Sequence, residues 1–350
     1  MTAAILPKYD HPIKAPKGLS PRIQWLRDYY FQGADRAWKN EFVAWTTGTS
    51  WDIQFNETNF YIVPETYALL QTLRGSYRQA ARKIDLHPDF WSWSIVERRA
   101  WFVREVMVAH MPKEILPGDL IAGGRFNVQT SLCLDHKQQK EYDEAVLGKN
   151  GARTKMKWLH DHGYGNAGAT SGHLIPAHER ALKIGWKGIY ADLEAKYKTL
   201  RNSGKRGPAG DQLKAMMTSA TMARDLALKY KGVCIDLAAA QSDPPRRQEL
   251  LQMARNLERV PWEPARTFWE ALQALWINHM LIMSDENYPG PGTSFGRIDQ
   301  YLLPHWEYSL SHGMDREFGK EILKCFWVHC NTVYDAMIRN GNQGITSGFG

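Results

Sequence analysis

Along most of this chain apolar residues recur at steps of three and four, the period of a helix with one buried face. The strongest run covers 265–283, where Phe268, Trp269, Leu272, Leu275, Trp276, His279, Met280 and Met283 fall on such steps. The stripe is too wide for a half-wet helix, so it predicts a core helix, with His279 as a satisfied core histidine. Weaker runs predict helices over 65–82, 94–110, 177–200, 211–240, 246–258, 299–310 and 315–338. In 94–110 the residues Ile95, Arg99, Phe102, Val103, Val106 and His110 share a face. From Ser20, the run SPRIQWLRDYYF reads as a capped helix with Ser20 as N-cap and Pro21 at the first position. Two stretches break the helical period. Residues 41–63 alternate and are rich in Thr and aromatics, which predicts extended structure. Leu120-Ile121-Ala122, after a Pro117-Gly118 turn, predicts a short apolar strand. Residues 134–150 read as a surface helix and loop, 201–210 as a surface loop, and 1–20 as an aperiodic arm ahead of one large domain over 21–350.

Three loops interrupt this pattern with glycine and small polar residues: 160–173, 285–297 and 340–349. The first is the richest. HDHGYGNAGATSGH holds His160, His162 and His173 and four glycines, and Leu174-Ile175-Pro176 leads from it into a helix. Glycines let a backbone turn sharply and come close to a ligand, and a polar loop tied to a rigid helix is where sites are built. His162, Asn166, Thr170, Ser171 and His173 are hydrogen-bond donors suited to a small anion. The plainer reading keeps them as structural turns whose polar groups bond to backbone. A zinc site on His160, His162 and His173 would need a further Cys or carboxylate in defined geometry, and the adjacent Asp161 is poorly placed to supply it.

Composition narrows the classes. The 350 residues are 43% apolar and 23% charged, ordinary for a globular protein, but 14 Trp and 15 Tyr imply a large core, an aromatic-lined cavity or a buried subunit contact. The net charge of +7 is spread among acids rather than gathered into a stripe, so it reads as solvated surface with no nucleic-acid partner. The four cysteines, Cys133, Cys234, Cys325 and Cys330, are too sparse for a disulfide scaffold and read as buried thiols. A metal reading of CFWVHC would make His329 a third ligand and lacks a fourth. No apolar run is long enough for a signal peptide or a membrane span, and the expected location is the cytoplasm. Nucleotide-loop and hydrolase motifs are absent.

Four segments, in order, resemble the glycyl radical enzymes of the pyruvate formate-lyase family: HMPKEILPGDLIAGGR (110–125), TSGHLIPAHERALKIGWKGI (170–189), PARTFWEALQALW (264–276) and TSFGRIDQYLLPHWE (293–307). The resemblance implies an α/β fold, the first half of a ten-stranded barrel surrounded by many helices, with 21–350 as the N-terminal part of that barrel domain. It implies two finger loops, one with a catalytic Cys and one with a radical Gly. None of the four cysteines sits in a Gly-rich tip, so both loops are expected beyond Gly350 and no catalytic residue is assigned within the chain.

Within the family, FYIVPETY (60–67), HDHGYGNAGATSGH (160–173), MSDENYPGPGTSFGR (283–297) and YDAMIRNGNQGITSGFG (334–350) are most similar to the enzymes that add n-alkanes to fumarate. That likeness implies a carbon-carbon bond-forming synthase making an alkylsuccinate. Positions matching the cavity wall are Tyr164, Asn166, Thr170, His173, Gly292, Thr293, Ile345 and Thr346. It also implies a glycyl radical installed by a separate S-adenosylmethionine/iron-sulfur activase, no bound cofactor or metal, small accessory subunits, a homo- or hetero-oligomer, and no activity in these residues alone. The alternatives are an arylacetate decarboxylase, a diol dehydratase or a C–S or C–N lyase on the same fold, or a non-catalytic half-barrel that binds a partner.

Overall fold

The computed structural model describes residues 19–26, 85–110, 115–123, 133–164, 175–204, 207–285 and 294–332. Their helices are α1 (Ile95–His110), α2 (His136–Tyr142), a π-helical turn (Asp143–Leu147), α3 (Ala152–Asp161), α4 (His178–Asn202), α5 (Pro208–Ala240), α6 (Pro244–Arg259), α7 (Phe268–Asp285), α8 (Ile298–Ser311) and α9 (Arg316–Thr332). The long α5 is flanked by α1, α4 and α6, and α7 lies among α4, α5, α6, α8 and α9.

α7 is the predicted core helix. Every residue from Phe268 to Leu281 is buried, so no side of it is wet. Burial on all faces forces its polar side chains to find partners. Glu270 accepts from Arg266 at 2.7 Å and from the Arg266 backbone N–H at 2.8 Å. Asn278 accepts from Trp186 Nε1 at 2.7 Å.

The segment 119–123 is buried, as its apolar run predicts, but the short strand expected at 120–122 is not formed: the chain bends at Ile121, whose N–H donates to Asp119 Oδ1 at 3.0 Å. Helix side chains fill the places that neighbouring strands would take. Trp269 Nε1 donates to Leu120 O at 2.7 Å, and Trp276 Nε1 to Gly123 O at 3.0 Å. Gln273 does both jobs for one residue: its Oε1 accepts from Ala122 N and its Nε2 donates to Ala122 O, each at 2.8 Å. Arg246 of α6 donates to Asp119 O at 2.8 Å. From α9, His329 Nε2 lies 2.9 Å from Asp119 Oδ2 and 3.1 Å from Ile121 O. Both neighbours are acceptors, so that nitrogen carries the proton. Gly123 sits at φ +122, and a Cβ there would come within 2.8 Å of Met280 Sδ. No strand ladder occurs among the described residues; the helical surround expected from the resemblance is present, and the half-barrel is not seen in this part.

The N-terminal residues are pinned to the same place. Residues 21–26 are helical, and Ser20 caps them as predicted, its Oγ accepting from Ile23 N at 3.3 Å. Ser20 also donates to Glu321 of α9.

Several expectations shift. In α1 the inward residues are Arg98, Phe102, Val103, Val106 and Met107, while Ile95 is exposed. The face has rotated because α1 packs along α5. His160 and Asp161, expected in the first Gly-rich loop, end α3 instead, and His162 caps it. α6 starts at Pro244, two residues ahead of the expected 246: Asp243 is its N-cap and Pro244 and Pro245 fill its first turn, where no N–H is needed. α4 is kinked at Gly185, φ +65. A Cβ there would meet Trp262 O at 2.2 Å, because the 260–264 turn inserts its carbonyls into the kink and accepts from Trp186 N and Lys187 N. The expected extended stretch 41–63 and helix 65–82 lie outside the described residues, as do the last residues of 315–338.

α2, the π turn and α3 pack chiefly on one another. None of their residues is buried, and Leu147, Met156, Trp158 and Leu159 are exposed.

Candidate functional site

α7 positions the site through its last turns. Trp276 and His279 project from it and meet rings from three other elements. His279 lies against Phe295 with centroids 4.1 Å apart and ring planes tilted by 36°. His178, the first residue of α4, lies 6.3 Å from His279 and 6.0 Å from Phe295. Phe295 continues to Phe326 of α9 at 5.2 Å, and Trp276 to His329 at 5.0 Å. The result is a dry aromatic floor built by α4, α7, α9 and the 294–297 turn.

The floor joins the flanks of the Gly-rich loops. Residues 175–178 follow the first loop, 294–296 close the second, and α9 leads toward the third. A second contact fixes the first two flanks against each other: a Cβ on Gly296, at φ +65, would come 2.8 Å from Ile175 Cγ2. Tyr301 holds the second flank by donating to Phe295 O at 2.8 Å. On the clamp side, Gly123 bonds Trp276 one turn from His279, so segment 119–123 ends at the same level.

His178 is the unusual member. It is 2% exposed and its Nε2 has no partner. Burial pushes its pKa down to about 4, so the ring is neutral near pH 7. A buried orphan nitrogen costs stability, and here it sits at the first residue of α4.

Of the predicted wall residues, the structure places Tyr164. It is 74% exposed, stacked on Trp158 at 5.9 Å on the α2–α3 unit, and takes no part in the floor. His162 caps α3, its Nδ1 2.7 Å from Trp158 O. Asn166, Thr170, Ser171, His173, Gly292, Thr293, Ile345 and Thr346 lie outside the described residues. Sequence reasoning missed Gln273, His178 and Phe295. Gln273 had a signal, as a polar residue inside the apolar stripe 269–276–280. His178 had a weaker one, a histidine two residues after Pro176.

The four cysteines are buried. Burial pushes the Cys234 thiol up to about 12 and raises Cys325 as well. The Cys234 and Cys325 thiols therefore stay protonated and are not thiolate nucleophiles. Among the described residues no group of three or more His, Cys, Asp or Glu could hold a metal ion, and no helix is long and apolar enough to cross a membrane.

A family profile described as pyruvate formate lyase-like matches residues 140–348. The isethionate sulfite-lyase of Desulfovibrio desulfuricans is 30% identical over 209 residues, 56% of this chain and 22% of that protein. The indoleacetate decarboxylase of Tractidigestivibacter scatoligenes is 44% identical over 89 residues, 25% of this chain and 10% of that one. The fold is similar to a glycyl radical enzyme from Archaeoglobus fulgidus, TM-score 0.60 at 21% identity, over 82% of this chain and 40% of that one. The chain thus spans less than half the length of each of these relatives. With more than half of its residues under the family profile, the chain belongs to the pyruvate formate lyase-like family of glycyl radical enzymes.

Proposed function

We propose that these residues build one wall of the reaction chamber of a glycyl radical enzyme that adds an n-alkane to fumarate. The observation that carries this reading is the dry aromatic floor. His279, Phe295 and Trp276 meet where the flanks of two Gly-rich loops and the end of segment 119–123 converge. Abstracting hydrogen from an inert C–H bond needs a chamber that excludes water and reactive side chains. An apolar floor between the flanks of polar loops suits a hydrocarbon, with the loops as the source of hydrogen-bond donors for a dicarboxylate. Asn166, Thr170, His173, Thr293 and Thr346 would supply those donors, with Gly292 and Ile345 completing the wall and Tyr164 standing apart from it on the α2–α3 unit.

In this reading the reactive sulfur and the radical glycine lie outside these residues, because none of the four cysteines here sits in a Gly-rich loop tip. A separate activase would install the radical. The hydrocarbon loses a hydrogen to the sulfur, its carbon radical adds to the fumarate double bond, and the product radical takes the hydrogen back. Hydrogen balances over the cycle and no net oxidant is consumed.

Arylacetate decarboxylation is the second reading. It is favoured by the 44% identity to the indoleacetate decarboxylase over 89 residues. The test is anaerobic activation of the natural polypeptide, followed by electron paramagnetic resonance and product analysis. A glycyl doublet with alkane-dependent loss of fumarate is expected. A doublet with carbon dioxide released from arylacetates, and fumarate untouched, would transfer the assignment to the second reading.

A further inference from the structure

A separate cavity opens between the helical turn Phe90–Ser92, the start of α1 and the first turns of α5. It is half-open, encloses about 510 Å³ and shares no lining residue with the aromatic floor. That volume falls within the range of small-molecule sites, roughly 300–1,000 Å³. Among the described residues, two indoles and six polar side chains line it.

The indoles of Trp93 and Trp101 meet edge to face, with centroids 6.1 Å apart and planes at 66°. The buried Phe90 contacts both, at 6.1 and 5.6 Å, and His87 lies against Trp93 at 4.7 Å. Among the described residues no cation lies over either ring, whereas Arg98 covers the neighbouring Trp91 at 5.3 Å. Four of the polar side chains are engaged. Ser92 donates to Asp89 O at 2.7 Å, and Ser94 to Glu97 Oε2 at 2.9 Å. The other Glu97 oxygen holds Lys214 Nζ at 3.0 Å.

The Thr218 hydroxyl and the Asp211 carboxylate make no side-chain bond among the described residues. Lys214 is held above its ordinary pKa first by its bond to Glu97, and the Asp211 charge adds to this from a distance. Asp211 lies in the first turn of α5, where a negative charge suits the helix N-terminus. Two carboxylates against one ammonium leave the lining with one net negative charge. A cation is attracted to an indole face. A guanidinium is weakly hydrated, stacks on aromatic rings and carries a planar fork that matches a carboxylate. Two indoles beside an unengaged carboxylate suit that shape.

We infer a second small-molecule site here, for an alkylguanidinium that packs on Trp93 and Trp101 and bonds Asp211. It goes beyond the proposed reaction and does not depend on it, since it uses none of the residues of the floor or the loops.

The test uses the purified natural polypeptide, without activation, carrying fluorotryptophan. The Trp93 and Trp101 fluorine signals are assigned from W93F and W101F spectra. Butylguanidinium is expected to shift both signals saturably. Butylurea, its neutral planar counterpart, should bind about tenfold more weakly, and so should butylammonium, whose compact charge holds water more strongly. Asp211→Asn should weaken butylguanidinium about tenfold and leave butylurea unchanged. Lys214→Gln removes the opposing positive charge and should tighten butylguanidinium; it keeps the test open if Asp211→Asn fails to fold. No saturable shift overturns the site. Equal binding of butylurea, binding indifferent to Asp211→Asn, or no tightening in Lys214→Gln overturns the cation assignment. Equal binding of butylammonium overturns the choice of a guanidinium. Because no turnover is measured, failure here leaves the reaction standing, and failure of the reaction leaves this site standing.

Discussion

At the scale of single residues, His178 joins the sequence to the site most directly. Its ring is held neutral by burial, with a pKa of about 4 against an ordinary value near 6.5. The unfolded chain therefore takes up a proton between these values and the folded one does not. The stability this represents is complete above pH 6.5 and is lost as the pH falls toward 4, by up to about 3 kcal/mol. His178→Gln should flatten that part of the stability profile, measured by urea unfolding at each pH. A profile as steep as that of the natural protein would show that the ring is not the group responsible. Gly185 is equally decisive for the backbone, since only a residue without Cβ admits the Trp262 carbonyl into the kink of α4. Neither role shows in the sequence. His178 resembles any first-turn histidine, and Gly185 sits in an unbroken amphipathic run whose partner is a turn nearly eighty residues away.

Elements were more legible where one periodic face decided them. The core helix was visible because its stripe exceeds what a half-wet helix tolerates, and α7 is buried on every side. The 120–122 run was legible as buried, but its bend at Ile121 and what satisfies its backbone were not. Strand partners are the usual answer for a buried segment outside helices; here Trp269, Gln273 and Trp276 supply it, and their side chains carry no signal of a specific backbone target. Gln273→Leu should orphan both polar groups of Ala122 and cost about 3 kcal/mol, read as a fall in the urea midpoint with faster exchange of the Ala122 amide. Gln273→Glu keeps the acceptor for Ala122 N and loses the donor, so it should fall between. Equal stability of the Leu variant would remove Gln273 from the clamp. The rotated face of α1 belongs to the same scale: Ile95 and Met107 are equally apolar, and only the packing of α1 along α5 decides which turns inward.

For the whole molecule, two bodies of very different cohesion emerge. α1 and α4 to α9 share one core. The helices of the α2–π–α3 unit have no buried residue and keep large apolar side chains at their surface. Local opening follows buried contact, so among the described residues brief trypsin treatment should cut first at Lys149, Arg153, Lys155 or Lys157. First cuts within α5 would contradict that order. Family membership was legible at this scale because four separate segments carry it in sequence order. The wall residues were not resolved to the same degree: Tyr164 stands on the loosely held unit, while the floor is made by residues chosen for packing rather than for any motif.

The clamp on 119–123 has a consequence in time. Its partners Trp269, Gln273 and Trp276 lie about 150 residues further along the chain. At ribosomal speeds of about 5–20 residues per second, the Leu-Ile-Ala run waits roughly 8–30 s with its backbone groups unfilled. Throughout that interval it is an open edge on a nascent chain, and α7 closes it only when it arrives.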